Sequence, residues 1–153
     1  MRVTAFNGAL ERISELRRYR QILADLDLRH PVSCDPDRIG QVVSNLLSNA
    51  ITHGTPGSPV RISAGSQSDF TFVEVENEGQ AIDREAQQVL FSPFRRANDR
   101  SKGLGLGLHI ASSIAKVHGG PVDRCQRGAD DQFQARGAQG WRSTEHCERP
   151  SMI

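Results

Sequence analysis

Asp35-Pro36-Asp37-Arg38-Ile39-Gly40-Gln41-Val42-Val43-Ser44-Asn45-Leu46-Leu47-Ser48-Asn49-Ala50-Ile51-Thr52 carries two patterns at once. Ile39, Val42, Val43, Leu46, Leu47, Ala50 and Ile51 recur at three- and four-residue intervals, which defines one buried face of a helix. Gln41, Asn45 and Asn49 fall four apart, so their carboxamides form a stripe along one side of that face. Asp35 suits the N-cap, Pro36 the first helical position and Asp37 the positive end of the dipole. Gly54-Thr55-Pro56-Gly57 then stops the helix.

A carboxamide offers an oxygen to a hard cation and an N–H to a phosphate oxygen, so the stripe suits a magnesium-polyphosphate ligand. A solvated polar face would also accommodate these amides, and three in register weigh against it. Working outward, Ile22 to Leu28 alternates as a half-buried strand, preceded by helical spacing at Ala9, Ile13 and Leu16. Val60, Ile62 and Ala64 predict a second strand, Gly65 to Asp69 a turn, and Thr71, Val73 and Val75 one face of a third. Asn77 shares that parity. A short helix is predicted from Arg84 to Phe91 with Asp83 as its cap.

Gly103-Leu104-Gly105-Leu106-Gly107-Leu108 opens another helix, on which Leu108, Ala111, Ile114 and Ala115 mark the core face, and Gly119-Gly120-Pro121 ends it. Bare amides at the three glycines, followed by a positive helix end, favour an anion such as phosphate. A tight packing turn is the alternative. No Lys follows the glycines, and Leu108 stands where a dinucleotide fingerprint needs glycine, so both of those phosphate motifs lose support.

Lys and Arg number 19 against 18 acidic residues, which gives no field to attract nucleic acid or an anionic membrane. Any anion must be held locally. Cys34, Cys125 and Cys147 form no CxxC pair and suit a reducing cytosol, which makes a cytoplasmic location the expectation. No apolar run is long enough to insert in a bilayer.

Together these segments resemble the sensor histidine kinases, within the ATPase superfamily that includes gyrase, MutL and a heat-shock chaperone. Gln41 to Ala50 resembles the family's N box, Leu90-Phe91-Ser92-Pro93-Phe94-Arg95-Arg96 its F box, and Gly103 to Leu108 its second glycine box. Glu76-Asn77-Glu78-Gly79-Gln80-Ala81-Ile82 occupies the first glycine box, with Asn77 where the family usually has Asp, as in a phytochrome-like branch. The resemblance implies an α+β two-layer sandwich: a mixed, mainly antiparallel sheet with helices on one face.

The resemblance also implies roles. Asn45 would hold Mg2+, Asn49 the phosphates, and Gln41 would position the attacking histidine rather than take its proton. Asn77 would read adenine, and His53, Gly79, Ala81, Ile82, Phe94 and Arg96 would line the ATP site with Gly103, Leu104, Gly105, Leu106, Gly107 and Leu108. Thr52 and His53 stand where the family often has Lys and Tyr. Arg95, Arg96, Arg100 and Lys102 would then supply charge from a lid pinned by Phe94, although such a run also fits a solvated face, and Phe91 and Phe94 also fit a core.

The function expected from this resemblance is ATP-dependent transfer of phosphate to a histidine on a dimerisation domain or separate protein, and indirectly to a response regulator. No phosphoacceptor motif stands before the N box. The alternatives are a serine kinase of the anti-sigma type and a truncated, non-catalytic nucleotide-binding module. Residues 1–136 are expected to form the domain and 137–153 a polar, disordered tail. Val122 to Arg136 alternates only at Val122, Phe133 and Ala135, which predicts a poorly formed edge hairpin, as truncation or a frame change in the gene would leave.

Overall fold

The computed structural model describes residues 11, 14–15, 17–27, 34–67, 70–79, 85, 89, 92–93, 106–118, 122–127 and 130–137. For 66–67, 70, 122–127 and 130–137 the description is of the backbone. The elements described without interruption follow in the order β1 (Ile22–Asp27), α1 (Pro36–His53), β2 (Val60–Gln67), β3 (Phe70–Glu78), α2 (Gly107–Val117), β4 (Val122–Arg127) and β5 (Asp130–Gly137). They form one sheet of order β1-β2-β3-β5-β4. Only β1 and β2 run parallel, joined across α1, and the other neighbours are antiparallel. The expected mixed, mainly antiparallel sheet is therefore present.

α1 forms where its sequence says it should. The Asp35 carboxylate accepts from the Asp37 and Arg38 amides at 3.0 and 3.2 Å, and Gly54 closes the other end by donating to the Ala50 carbonyl at 2.8 Å. The apolar stripe Val42, Val43, Leu46, Leu47 and Ala50 is buried against Ile62, Val73 and Val75 of the sheet and Leu108, Ala111 and Ala115 of α2. Leu46 and Leu47 are both 0% exposed, so truncating either to Ala would cost about 2–5 kcal/mol. The start of α1 is tied to the end of α2: the Asp35 N–H donates to His118 Nε2 at 3.3 Å. With Nε2 accepting, His118 Nδ1 is the donor to the Ile114 carbonyl at 2.9 Å.

Two sequence expectations change. The turn predicted at Gly65 to Asp69 is shorter, because β2 continues to Gln67 and Gly65 pairs with Phe72. Gly65 supports this pairing: a Cβ there would lie 2.9 Å from Phe72 Cζ, so the missing side chain makes room for the ring. The second change is at the far edge. β4 and β5 do form a hairpin, and β5 lies inside the sheet, with Phe133 in register with Val75 and Ala135 with Val73. Backbone hydrogen bonds on both sides of β5 hold a ladder that sparse side-chain alternation did not advertise. β5 reaches Gly137, the first residue of the stretch assigned to the tail. Of the helix predicted from Arg84 to Phe91, only Glu85 and Val89 are described, and both are helical.

Candidate functional site

Asn45 is half-buried on α1, and its Nδ2 is a buried donor without a hydrogen-bond partner among the described residues. Gly107, the first residue of α2, sits beside it: a Cβ on Gly107 would lie 3.9 Å from Asn45 Cγ and 4.0 Å from Oδ1. α2 therefore begins on the carboxamide of Asn45. Leu106 is its N-cap and provides no side-chain hydrogen bond. Bare amides and the positive end of a dipole thus meet an unpartnered N–H donor, an arrangement that suits an anion.

Asn77 ends the inward-facing run of β3 and is 4% exposed. Its Nδ2 donates to the Glu78 carbonyl at 3.4 Å, while its Oδ1 is a buried acceptor without a partner among the described residues. Gly54 packs directly on it, since a Cβ at Gly54 would come 3.3 Å from Asn77 Nδ2 and 2.5 Å from the Ala50 carbonyl oxygen. Just beyond, the Thr55 N–H donates to the Glu78 carbonyl at 2.6 Å, and Ser58 Oγ donates to Glu78 Oε2 at 3.0 Å. The end of β3 is held by the loop that leaves α1.

Asn45 and Gly54 are nine positions apart on one chain, a rise of roughly 13 Å. The Asn45 donor and the Asn77 acceptor thus lie near opposite ends of that span. Asn49 lies between them on the same helix and is half-buried. Gln41 lies one turn before Asn45 and accepts a long hydrogen bond of 3.5 Å from the Arg38 guanidinium. His53 is exposed at the last turn, yet the protein crowding its ring disfavours the charged form and pushes its pKa down. Gly79 and Leu106 are half-buried at the ends of their elements. Leu108 points into the core at 7% exposure, so only its backbone is free to face a ligand. Ala81, Ile82, Phe94, Arg96, Gly103, Leu104 and Gly105, with Arg95, Arg100 and Lys102, lie outside the described residues.

The sequence reading missed Gly54 as part of this site. Its place after the helix announced a stop signal and nothing about its contact with Asn77. Among the described residues no group of three or more His, Cys, Asp or Glu side chains is placed to hold a metal. None of the helices there is long and apolar enough to cross a membrane.

The family model described as "Histidine kinase-, DNA gyrase B-, and HSP90-like ATPase" matches residues 34–143. The chain belongs to this family. A bacteriophytochrome of Pseudomonas aeruginosa is 38% identical, over 68% of this chain and 17% of its own length. The signal transduction histidine-protein kinase AfsQ2 of Streptomyces coelicolor is 37% identical, over 64% of this chain and 19% of its own length. The chain therefore spans less than a fifth of these curated relatives. Among solved structures, the catalytic domain of the histidine kinase ThkA superposes with a TM-score of 0.72 at 26% identity, covering 88% of this chain and 90% of that one. ThkA solved with the response regulator protein TrrA gives 0.70 at 25% identity, covering 90% of this chain and 40% of that one. The α/β sandwich is that of histidine kinase catalytic domains.

Proposed function

We propose that this ATPase-family domain binds Mg-ATP between α1, the end of β3 and the start of α2, and passes the γ-phosphate to a histidine on another segment or chain. The observation that carries this reading is the pair of buried carboxamide atoms that have no partner among the described residues. Asn45 Nδ2 is a donor beside a bare helix start, and Asn77 Oδ1 is an acceptor beside Gly54, at the end of α1. Each would cost about 1–3 kcal/mol if left unsatisfied, and a nucleotide offsets both. The adenine amine donates to Asn77 Oδ1, and phosphate oxygens accept from Asn45 Nδ2 and the first amides of α2.

Asn45 Oδ1 is the kind of oxygen that Mg2+ takes, and a magnesium ion of this sort keeps few protein ligands because phosphates and waters complete its shell. When bound, Mg2+ neutralises charge on the phosphate oxygens. Asn49 adds a donor to the phosphates, and Gln41 orients the incoming imidazole. The imidazole nitrogen bonds to the γ-phosphorus as the bond to the β-phosphate oxygen breaks. ADP leaves with that electron pair and the imidazole proton passes to solvent. His53, Gly79, Ala81, Ile82, Phe94 and Arg96, with Gly103 to Leu108, complete the wall in this reading. The domain in this reading takes in β5 to Gly137, one residue past the expected boundary at 136.

The histidine-bearing partner and, after it, a response regulator are part of the same proposal, in keeping with the ThkA–TrrA complex. A direct test supplies a histidine-bearing dimerisation domain with γ-labelled ATP. Acid-labile, base-stable label on the partner supports histidine transfer. Acid-stable label indicates a serine kinase, and binding without transfer indicates a nucleotide-binding module. Calorimetry with Mg-ATP comes first, and absence of heat there defeats the whole reading.

A further inference from the structure

Arg20 stands two residues before β1, in a segment the site does not otherwise use. Its guanidinium nevertheless gathers three carbonyl oxygens from the far end of α1. Nη2 donates to Ile51 at 3.2 Å, and Nη1 donates to Ser58 at 3.0 Å and to Thr55. Ile51 is in the last turn of the helix, where carbonyls have no intrahelical partner, and a cation there also complements the negative end of the dipole. Next to Arg20, the Gln21 carbonyl accepts from the Val60 N–H at 2.9 Å. One planar side chain therefore fixes the path of the 54–58 loop relative to the residue that enters the sheet.

That loop is what holds the adenine end. Thr55 and Ser58, whose carbonyls Arg20 grips, donate to the carbonyl and carboxylate of Glu78. Gly54 between them and the helix packs on Asn77. The chain of contacts runs from Arg20 to the loop and from the loop to both residues at the end of β3. Asn77 Oδ1 must point at a single place to accept from an adenine amine, and the hydrogen bond from its Nδ2 to the Glu78 carbonyl, at 3.4 Å, is too long to fix the carboxamide alone. We propose that Arg20 is a positioning residue for adenine recognition, holding Asn77 in place through the 54–58 loop. The proposal rests on the nucleotide reading above. A lysine at this place has one nitrogen where the guanidinium uses two, so it would keep part of the grip.

The test uses the full 153-residue chain with Arg20→Ala and Arg20→Lys, displacing a ribose-labelled fluorescent ATP with ATP or GTP. Arg20→Ala is expected to weaken ATP about tenfold while GTP changes by less than about twofold, with Arg20→Lys between wild type and Ala. A merely structural role would weaken both nucleotides in the same proportion, and that result overturns the proposal. So does unchanged ATP preference in both variants. A wild-type chain that binds neither nucleotide defeats the adenine reading and this inference with it. A wild-type chain that prefers ATP leaves the variants to decide Arg20 alone. Where Arg20→Ala does not fold, Arg20→Lys carries the test, together with its 15N–1H spectrum. There the Asn77 carboxamide signals must move without nucleotide, and unmoved signals overturn the coupling.

Discussion

At the start of α1 the Asp35 carboxylate accepts from two backbone amides, and at the start of α2 Leu106 offers no side chain to any. A good cap contributes about 0.5–2 kcal/mol, so the second helix forgoes stability that the first one uses. At the same place Asn45 Nδ2 is buried without a partner among the described residues, with Gly107 packed beside it. Among the described residues, a helix start without a side-chain cap beside an orphan donor is found at α2 and not at α1. The comparison teaches that α1 begins as a piece of scaffold, whereas α2 begins with the features that the proposed anion site would use. The same contrast runs along α1 itself: Val42, Val43, Leu46, Leu47 and Ala50 are buried, whereas beside them Asn45 Nδ2 has no partner among the described residues.

The strongest way to break that distinction is Asn45→Leu. If the orphan donor serves a ligand, Leu removes it at similar volume, and Mg-ATP affinity falls by about 100-fold or more in calorimetry. Thermal unfolding without nucleotide should hold or rise, because an unsatisfied polar atom has left the interior. A variant that melts early and still binds ATP would make Asn45 a structural residue. A smaller effect comes from Leu106→Asp, which sets a carboxylate against the bare amides of α2. Phosphate then meets both a competitor and a like charge, and ATP affinity should fall about tenfold. Asp35→Ala sharpens the contrast from the other side. Losing the α1 cap costs about 1 kcal/mol and lowers the melting temperature by about 2–6 °C, with ATP affinity held within about twofold. A large loss of affinity in that variant would mean that the two helix starts are not separable.

Much of the scaffold was legible because it rests on local periodicity. The spacing of Val42, Val43, Leu46 and Leu47 announced the buried face of α1, and Asp35-Pro36-Asp37 announced its first turn. The site was legible where a strand or helix period carries it: Asn77 was placed on the inward face by its parity with Val73 and Val75, and its burial follows. The Asn45 stripe came from the same rule. What stayed hidden is held by backbone acceptors, which leave no residue-type signature. Arg20 binds three carbonyls more than thirty positions away, and any residues there would have supplied the same oxygens. Gly54 read as a stop signal because the partner that requires its bare Cα, Asn77, lies in another element. The β4–β5 hairpin was missed for the same reason, since its ladder is made by main-chain groups and its side chains alternate faintly.

His53 gives the smallest and most separable test, because it is the last residue of α1, beyond the buried stripe. Its surroundings push the folded-state pKa below the ordinary histidine value of 6.5, and the cause is loss of water around the ring. In the unfolded chain the ring titrates near that ordinary value, so between the two pKa values the unfolded state binds the proton more readily. Stability from this residue is thus fully present above about pH 6.5 and declines as pH falls toward the lowered folded value. Below that value the penalty is constant. Because the side chain is exposed and solvent screens it, the effect is small beside those at Asn45 or Asp35. His53→Gln should therefore flatten the acid side of the melting profile: the drop between pH 7.5 and 5.5 becomes smaller than in wild type, with little change above neutrality. An unaltered profile would mean that crowding at the rim of the site does not penalise charge on the His53 ring.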